Sequence, residues 1–552
     1  MTAIQALKRI VRRQAFGYAA VFSFALAIAG YIQWTPTFID PDSFYHVKMA
    51  QIIAAHGPVR DFPWLPMTKL AGAFADHHFL YHVILIPFVI FLGPIVGAKT
   101  ATALMVAAVI TVFYALLRAY GVRAPAFFAA VLATTGGFMF RMNLVKTSAL
   151  SVTVLLLALL AFEKKKTKLL FALSWLYVWA YGGWPLILAV VGAAVAARVF
   201  TVWKIGGSTE GGRSLAAAAS RCRADFHMAA ATTGGAIAGL VINPDFPRNL
   251  AFYWEQFVQI GVIGYRNTIG VGGEWYPYDF TDIFGNASLI FLLFLFGLTA
   301  LLAAVFWDSA KASSTSFAKR DPAPVMAAMV LAAIFLAMAL RSKRHIEYFA
   351  PFMALFTALF LDAVTPKFSW RELPSRARKF IAEHGLVPAA AAIYLIAVFP
   401  VIAIRDIRET RAVHAGGLPI TKYAAAARWL RDNTPDGSLV FHSDWDDFPP
   451  LFYQDDRNHY VSGLDPTFFY RQDPLRYWQW VNITSGKRKS GLAEIIGGGF
   501  HAAAVLVEKD HKEMRRSVEA DGNFKKVYSD DEVDIYESNA SKNDSNRPAG
   551  AQ

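Results

Sequence analysis

The sequence predicts a mainly α-helical, polytopic membrane protein with about 11–13 transmembrane helices and a C-terminal mixed α/β domain outside the cytoplasm. Three observations carry that expectation. The 552 residues are 55% hydrophobic and 17% charged, with mean hydropathy +0.36, whereas a soluble domain is about 45–50% apolar and about 25% charged. The apolar residues gather in segments long enough to cross a bilayer, which takes about 20 residues as a helix. The charges gather at the end of the chain: residues 405–552 hold 20 Lys and Arg and 23 Asp and Glu, leaving 34 and 18 for residues 1–404. The net charge of +13 therefore belongs to the hydrophobic part, where cytoplasmic loops favour Lys and Arg, and no nucleic-acid partner is expected. A single cysteine, Cys222, excludes a disulfide framework, a cysteine-ligated zinc site and an iron–sulfur cluster.

Twelve segments read as candidate spans: 15–34, 79–96, 98–117, 124–140, 147–162, 168–182, 184–203, 227–243, 286–306, 324–340, 346–364 and 387–404. The first is followed by Trp34-Thr35-Pro36 rather than a small-residue cleavage site, so it is expected to stay as an anchor. Lys8, Arg9, Arg12 and Arg13 place the N-terminus in the cytoplasm, and the basic loops 163–168, 204–226, 307–323 and 365–386 belong there too. These markers agree only if 79–96, which contains Pro87, Gly93 and Pro94, is re-entrant or interfacial. The result is about eleven crossings of an inner or plasma membrane. Residues 1–404 then form the multispan domain, with 35–78 and 244–285 as its large external loops. Residues 405–537 form a soluble external domain, with a helix at 420–431 and strands at 438–441, 502–507 and 533–536. The polar tail 538–552 reads as disordered.

Candidate chemistry lies on the external side. Asp40-Pro41-Asp42 follows the first span. Two carboxylates separated by one residue can bind a divalent cation or orient a nucleophile; Asp42 capping the helix 44–55 is the structural alternative. Asp76-His77-His78 ends the same loop, as metal ligands or as interfacial polar residues. Glu274 follows the glycine-rich run 268–273. Arg141, Lys146 and the cluster Arg341-Ser342-Lys343-Arg344-His345 are cations on the side the bias disfavours, either tolerated exceptions or ligands for an anion. Ser443-Asp444-Trp445-Asp446-Asp447-Phe448 follows a strand and offers an aromatic face with acceptors to a peptide or sugar. No Rossmann fingerprint or Walker motif is present, which fits a lipid-linked donor better than a soluble nucleotide sugar.

The order of these pieces resembles the catalytic subunit of oligosaccharyltransferase, a member of the glycosyltransferase C-fold class. The Asp-x-Asp after the first span, Tyr181-Gly182-Gly183-Trp184, the loop bearing Glu274, the arginine cluster and the stretch 423–448 occur in the family's order. The resemblance implies glycosyl transfer from a polyprenyl-phosphate or -diphosphate donor to an extracytoplasmic protein, glycan or lipid, with Mn2+ or Mg2+ as cofactor. It makes Asp42 the acid holding metal and acceptor, with Asp40 beside it. Glu274 matches the mobile-loop glutamate, and Arg344 or Arg341 the arginine that grips the lipid-linked phosphate. Trp445 and Asp446 match the acceptor-binding residues, with Asp447 beside them. The sequence also departs from the family. Arg141 is present, but Lys146 stands near the place of the family's second acidic pair, and Asp444, Asp447 and Phe448 alter the acceptor motif. A lysine can face a phosphate but cannot ligate a metal. These departures point to the alternative of a single-sugar transferase of the same fold. A transporter or glycan-binding scaffold is the non-enzymatic alternative.

Overall fold

The computed structural model describes residues 3–206, 214–307, 321–364 and 386–538. Most of the expected loops 307–323 and 365–386, and nearly all of the tail 538–552, lie outside the described residues. The chain is mainly helical, with a sheet near its C-terminus, and forms two compact units. One comprises 1–35, 100–239 and 274–415; the other comprises 36–99, 240–273 and 416–552.

All twelve apolar segments fall on helices. Among the described residues five helices are long and apolar enough to cross a membrane: Gln14–Gln33, Pro94–Ala119, Pro185–Lys204, Ala323–Arg341 and Lys343–Ala363. Phe79–Leu92, Ser148–Glu163 and Thr167–Ala180 are apolar but shorter. The expected span 124–140 is broken, whereas 286–306 falls on one helix, Ser288–Trp307, with a short helix bent against its start. Pro125–Ala133 and Gly136–Met142 meet at 72°, and Phe280–Asn286 and Ser288–Thr299 at 95°. The first break has a local cause. The Thr134 and Thr135 hydroxyls donate back to carbonyls of the preceding turn, which bends helices. The Gly136 N–H freed there donates to the buried Asp406 carboxylate at 3.2 Å.

In the first unit, Ala323–Arg341 packs on Ile346–Val364 across the tight turn Lys343–His345, and Pro185–Gly206 lies against it. Arg223–Val241 approaches Thr167–Ala180 closely. A Cβ on Gly235 would stand 2.2 Å from the Phe171 carbonyl oxygen, and one on Gly239 2.7 Å from that of Trp175. The two glycines, one turn apart, let the backbones touch. Gly137 does the same for Gly136–Met142, where a Cβ would meet Asn286 and Ile346 within 3 Å.

In the second unit, the helix Asp42–His56 packs on Phe79–Leu92 and Phe448–Gln454. β1 (Thr37–Phe38) pairs antiparallel with β2 (Leu418–Pro419). Five further strands are β3 (Leu439–His442), β4 (His459–Tyr460), β5 (Ala502–Glu508), β6 (Phe524–Ser529) and β7 (Val533–Ser538), in the order β4-β3-β5-β7-β6. β3 is parallel to β4 and β5, while β7 is antiparallel to β5 and β6. Phe441, Trp480, Phe500, Val505 and Val507 fill the core on this sheet. The helix expected from residue 420 starts at Ala424, because β2 claims 418–419 and Tyr423 takes the left-handed conformation at φ 60°.

Candidate active site

The broken segment explains how Arg141 reaches its partners. Gly136–Met142 turns away from the line of Pro125–Ala133 and carries Arg141 in its last turn. Arg141 is buried between two carboxylates. Its Nη1 donates to Glu274 Oε2 at 2.5 Å and its Nε to Glu347 Oε2 at 3.1 Å. The Ser148 hydroxyl donates to the same Glu347 oxygen at 2.8 Å. Arg344, from the turn Lys343–His345, donates through Nη1 to Glu274 Oε1 at 3.2 Å and through Nη2 to the Tyr181 hydroxyl at 3.2 Å. Its guanidinium also lies over the Trp275 ring, 5.2 Å from the centroid. Two hydrogen bonds to backbone carbonyls fasten the segments that supply these groups: Ser342 Oγ donates to the Glu274 carbonyl, and the Lys343 N–H to that of Tyr276. Burial alone would push the Glu274 carboxyl up, but Arg141, then Lys146 and Arg344, hold it well below the usual carboxylate range. Glu274 is therefore an anion bridging two guanidinium groups, with a lysine facing it.

Of the expected residues, the structure brings Arg141, Glu274 and Arg344 into one cluster, with Lys146 as an electrostatic neighbour. Arg341 is exposed at the end of its helix, and Lys343 lies over the Tyr278 ring. Sequence reasoning missed Glu347 and Ser148, and gave Tyr181 no role beyond its place in a family motif. Glu347 was detectable as a lone acid at the start of an apolar segment, a position that marks function inside a membrane.

Asp40 and Asp42 belong to the second unit. The capping alternative is corrected here. The helix begins at Asp42 itself with Pro41 before it, and Asp40 Oδ1 accepts the Asp42 N–H at 2.9 Å. Asp40, not Asp42, makes the local turn.

Asp76 is buried and committed to neighbours. Its Oδ2 takes the Nδ1 proton of His82 at 2.7 Å, and its Oδ1 accepts the His78 N–H at 3.1 Å. His82 Nε2 in turn lies 2.8 Å from His46 Nδ1. The Asp76 N–H donates to Asp245 at 3.0 Å, tying the loops ahead of both neighbouring helices. The His77 ring packs against that of His78, tilted by 43° with centroids 3.7 Å apart. The sequence had marked Asp76 but not its partners, His82 and Asp245. Among the described residues, no three His, Cys, Asp or Glu side chains are arranged to hold a metal ion.

In the stretch after β3, Trp445 is half-buried against the core and Asp446 is exposed. Asp447 is buried. Its oxygens accept from the Tyr423 hydroxyl at 2.6 Å, the Ser443 hydroxyl at 3.0 Å and the Asp444 N–H at 2.8 Å. Burial would raise its carboxyl, but His442 and these donors hold it below the usual range. Burial, then the Asp447 charge, pushes Asp444 up.

No family model matches the chain. A curated relative, dolichyl-phosphooligosaccharide-protein glycotransferase 3 of Archaeoglobus fulgidus, is 32% identical over 206 residues, which are 36% of this chain. The matched stretch spans only 21% of that relative. Among solved structures, the archaeal oligosaccharyltransferase AglB from A. fulgidus, with an inhibitory peptide and a dolichol-phosphate, aligns with TM-score 0.58 at 15% identity, over 92% of this chain and 72% of that one. ArnT from Cupriavidus metallidurans, bound to undecaprenyl phosphate, aligns with TM-score 0.53 at 16% identity, over 98% of this chain and 100% of that one. These likenesses give the fold alone, one shared with AglB and ArnT, and the five long apolar helices among the described residues fit a multi-pass membrane protein.

Proposed function

We propose that this protein is a membrane glycosyltransferase that moves a sugar or oligosaccharide from a polyprenyl-(di)phosphate carrier to an acceptor outside the cytoplasm. The observation that carries this reading is the pair of guanidinium groups, Arg141 buried and Arg344 half-buried, held with Lys146 around one anion. Arginine forks bind phosphate bidentately and stay charged. Similar proteins solved with dolichol-phosphate and undecaprenyl phosphate support a lipid-linked donor. In the transfer, Arg344 and Arg141, with the Lys146 charge acting on the same site and Arg341 nearby in sequence, stabilise the charge that develops on the leaving phosphate. Asp42, oriented by the Asp40 turn, accepts the proton of the acceptor group or aligns it for attack. Trp445 and Asp446, the solvent-reaching part of their stretch, contact the acceptor.

A resident Mn2+ or Mg2+ fits Glu274 and Asp76 poorly. Glu274 is taken by two guanidiniums and Asp76 by His82. Lys146 adds positive charge beside Glu274. Activity is therefore expected to survive a chelator largely intact. Complete loss, restored by manganese or magnesium, would overturn that expectation.

The single-sugar version of the reading has its own support. The altered acceptor stretch includes a buried Asp447. The test is a transfer assay in nanodiscs with polyprenyl-linked donors carrying one sugar or several, the product mass giving the unit moved. Asp42→Asn removes the charge at nearly constant size and is expected to abolish transfer with normal membrane insertion. Activity within about threefold of wild type, less than ~1 kcal/mol of barrier, would remove Asp42 from the mechanism.

A further inference from the structure

Two carboxylates share Arg141, and their surroundings differ. Glu347 is fully buried, and one of its oxygens takes both Arg141 and Ser148. The Glu274 side chain is 23% exposed and divides its two oxygens between Arg141 and Arg344. One acid braces a single guanidinium from behind. The other stands between two guanidiniums, as two oxygens of a phosphate would stand.

We propose that Glu274 is a displaceable counter-ion occupying the place of the carrier phosphate, and that Glu347 is the fixed positioning residue that keeps Arg141 in place when Glu274 leaves. This rests on reading the arginines as the phosphate site. The charge count favours it. Arg141, Lys146 and Arg344 against Glu274 and Glu347 leave one net positive charge. Turning Glu274 away leaves two, matching the roughly −1.5 to −2 carried by a phosphate monoester near neutral pH. The exchange requires only side-chain rotation, because the Ser342 hydroxyl holds the Glu274 carbonyl and the Lys343 N–H holds that of Tyr276. A resident carboxylate also spares the two guanidiniums from facing each other uncompensated between turnovers, a costly arrangement at low dielectric.

The two acids must then respond with opposite signs, which a merely structural role for both would not produce. The measurement is binding of undecaprenyl phosphate to the full chain in nanodiscs, with inorganic phosphate as a parallel titrant. Glu274→Gln should bind undecaprenyl phosphate about tenfold more tightly than wild type, and Glu347→Gln about tenfold more weakly. A gain for both titrants assigns the competition to the phosphate group itself. A gain for the lipid alone assigns it to a headgroup held by its chain. Glu274→Asp, one methylene short of bridging both guanidiniums, should gain part of the affinity and decides the matter if the glutamine variant does not fold. Unchanged or weaker lipid binding by the folded Glu274 variants overturns the proposal. Arg344→Ala separates the two levels. If it binds as wild type does, the phosphate reading itself fails. If it loses binding while the Glu274 variants gain none, only the counter-ion proposal fails.

Discussion

Asp447 shows what one buried carboxylate does when every oxygen is occupied. Tyr423, Ser443 and the Asp444 N–H donate to it, with His442 close by. Its folded carboxyl titrates below the usual range, and an unfolded aspartate titrates near about 3.9. Its contribution is therefore complete above about pH 4 and lost as pH falls through the lower folded value. Asp444, shifted upward, works in the opposite sense. Its charged form is a cost that acidification removes, so it offsets part of the acid loss. Asp447→Asn should cost about 2 kcal/mol at pH 7, because the amide cannot accept all these bonds and leaves buried donors unpaired. It should also reduce the stability lost below pH 4. Thermal melts of the detergent-solubilised protein, followed by tryptophan fluorescence at pH 7 and pH 3.5, measure both effects. A variant melting like wild type at pH 7 would mean that Asp447 is not the centre of this network. A related question of residue role was open in the sequence for Asp42, where Asp-Pro-Asp before a helix fits both capping and function. Geometry closed the capping option by giving the turn to Asp40.

Among the elements, the apolar segments were legible because hydropathy is a local property of about 20 residues. Their breaks were not. The 72° bend at 134–135 depends on threonine back-bonding and on Asp406 receiving the freed Gly136 N–H, and that acid lies 270 residues away. The start of the 424–433 helix was likewise set by a strand pairing between Leu418–Pro419 and Thr37–Phe38. The glycines of Arg223–Val241 give a sharp test at this scale. Gly235 lies against the Phe171 backbone with no room for a methyl group, whereas a Cβ on the adjacent Gly234 would meet the Phe171 ring at an ordinary 3.7 Å. Gly235→Ala should destabilise by about 1–3 kcal/mol, since two backbones must separate. Gly234→Ala should be neutral or slightly stabilising through helix propensity. Melting the two variants side by side in one detergent decides it. Equal melting temperatures would mean that the helices do not approach closely there.

At the scale of the whole molecule, the candidate site was half legible. Arg141, Glu274 and Arg344 were each visible as charges in unexpected places, but their meeting joins Arg141 to Glu274 across 133 residues and Glu274 to Arg344 across 70, and no local pattern encodes that. Topology is the molecular property that the sequence addresses most directly, through the parity of its basic loops. The 79–96 segment contains a helix of only 14 residues, Phe79–Leu92, with Pro87 inside and Gly93 at φ +82° ending it. At ~1.5 Å per residue this is about 21 Å, short of the ~30 Å hydrocarbon core. If it does not cross, the basic run at 163–168 faces the cytoplasm, and the chain beyond Ala415 lies outside with Asp42, Glu274 and Trp445. Alkaline phosphatase fused after residue 415 should then be active, and a fluorescent reporter that matures only in the cytoplasm should be dark at the same site. The same pair fused after residue 166 should give the reverse. A cytoplasmic signal after 415 would place the soluble domain on the nucleotide-sugar side of the membrane and would sink the lipid-linked donor along with the topology. An external signal after 166 would show instead that Phe79–Leu92 crosses despite its length, through tilted flanks or a thinned bilayer.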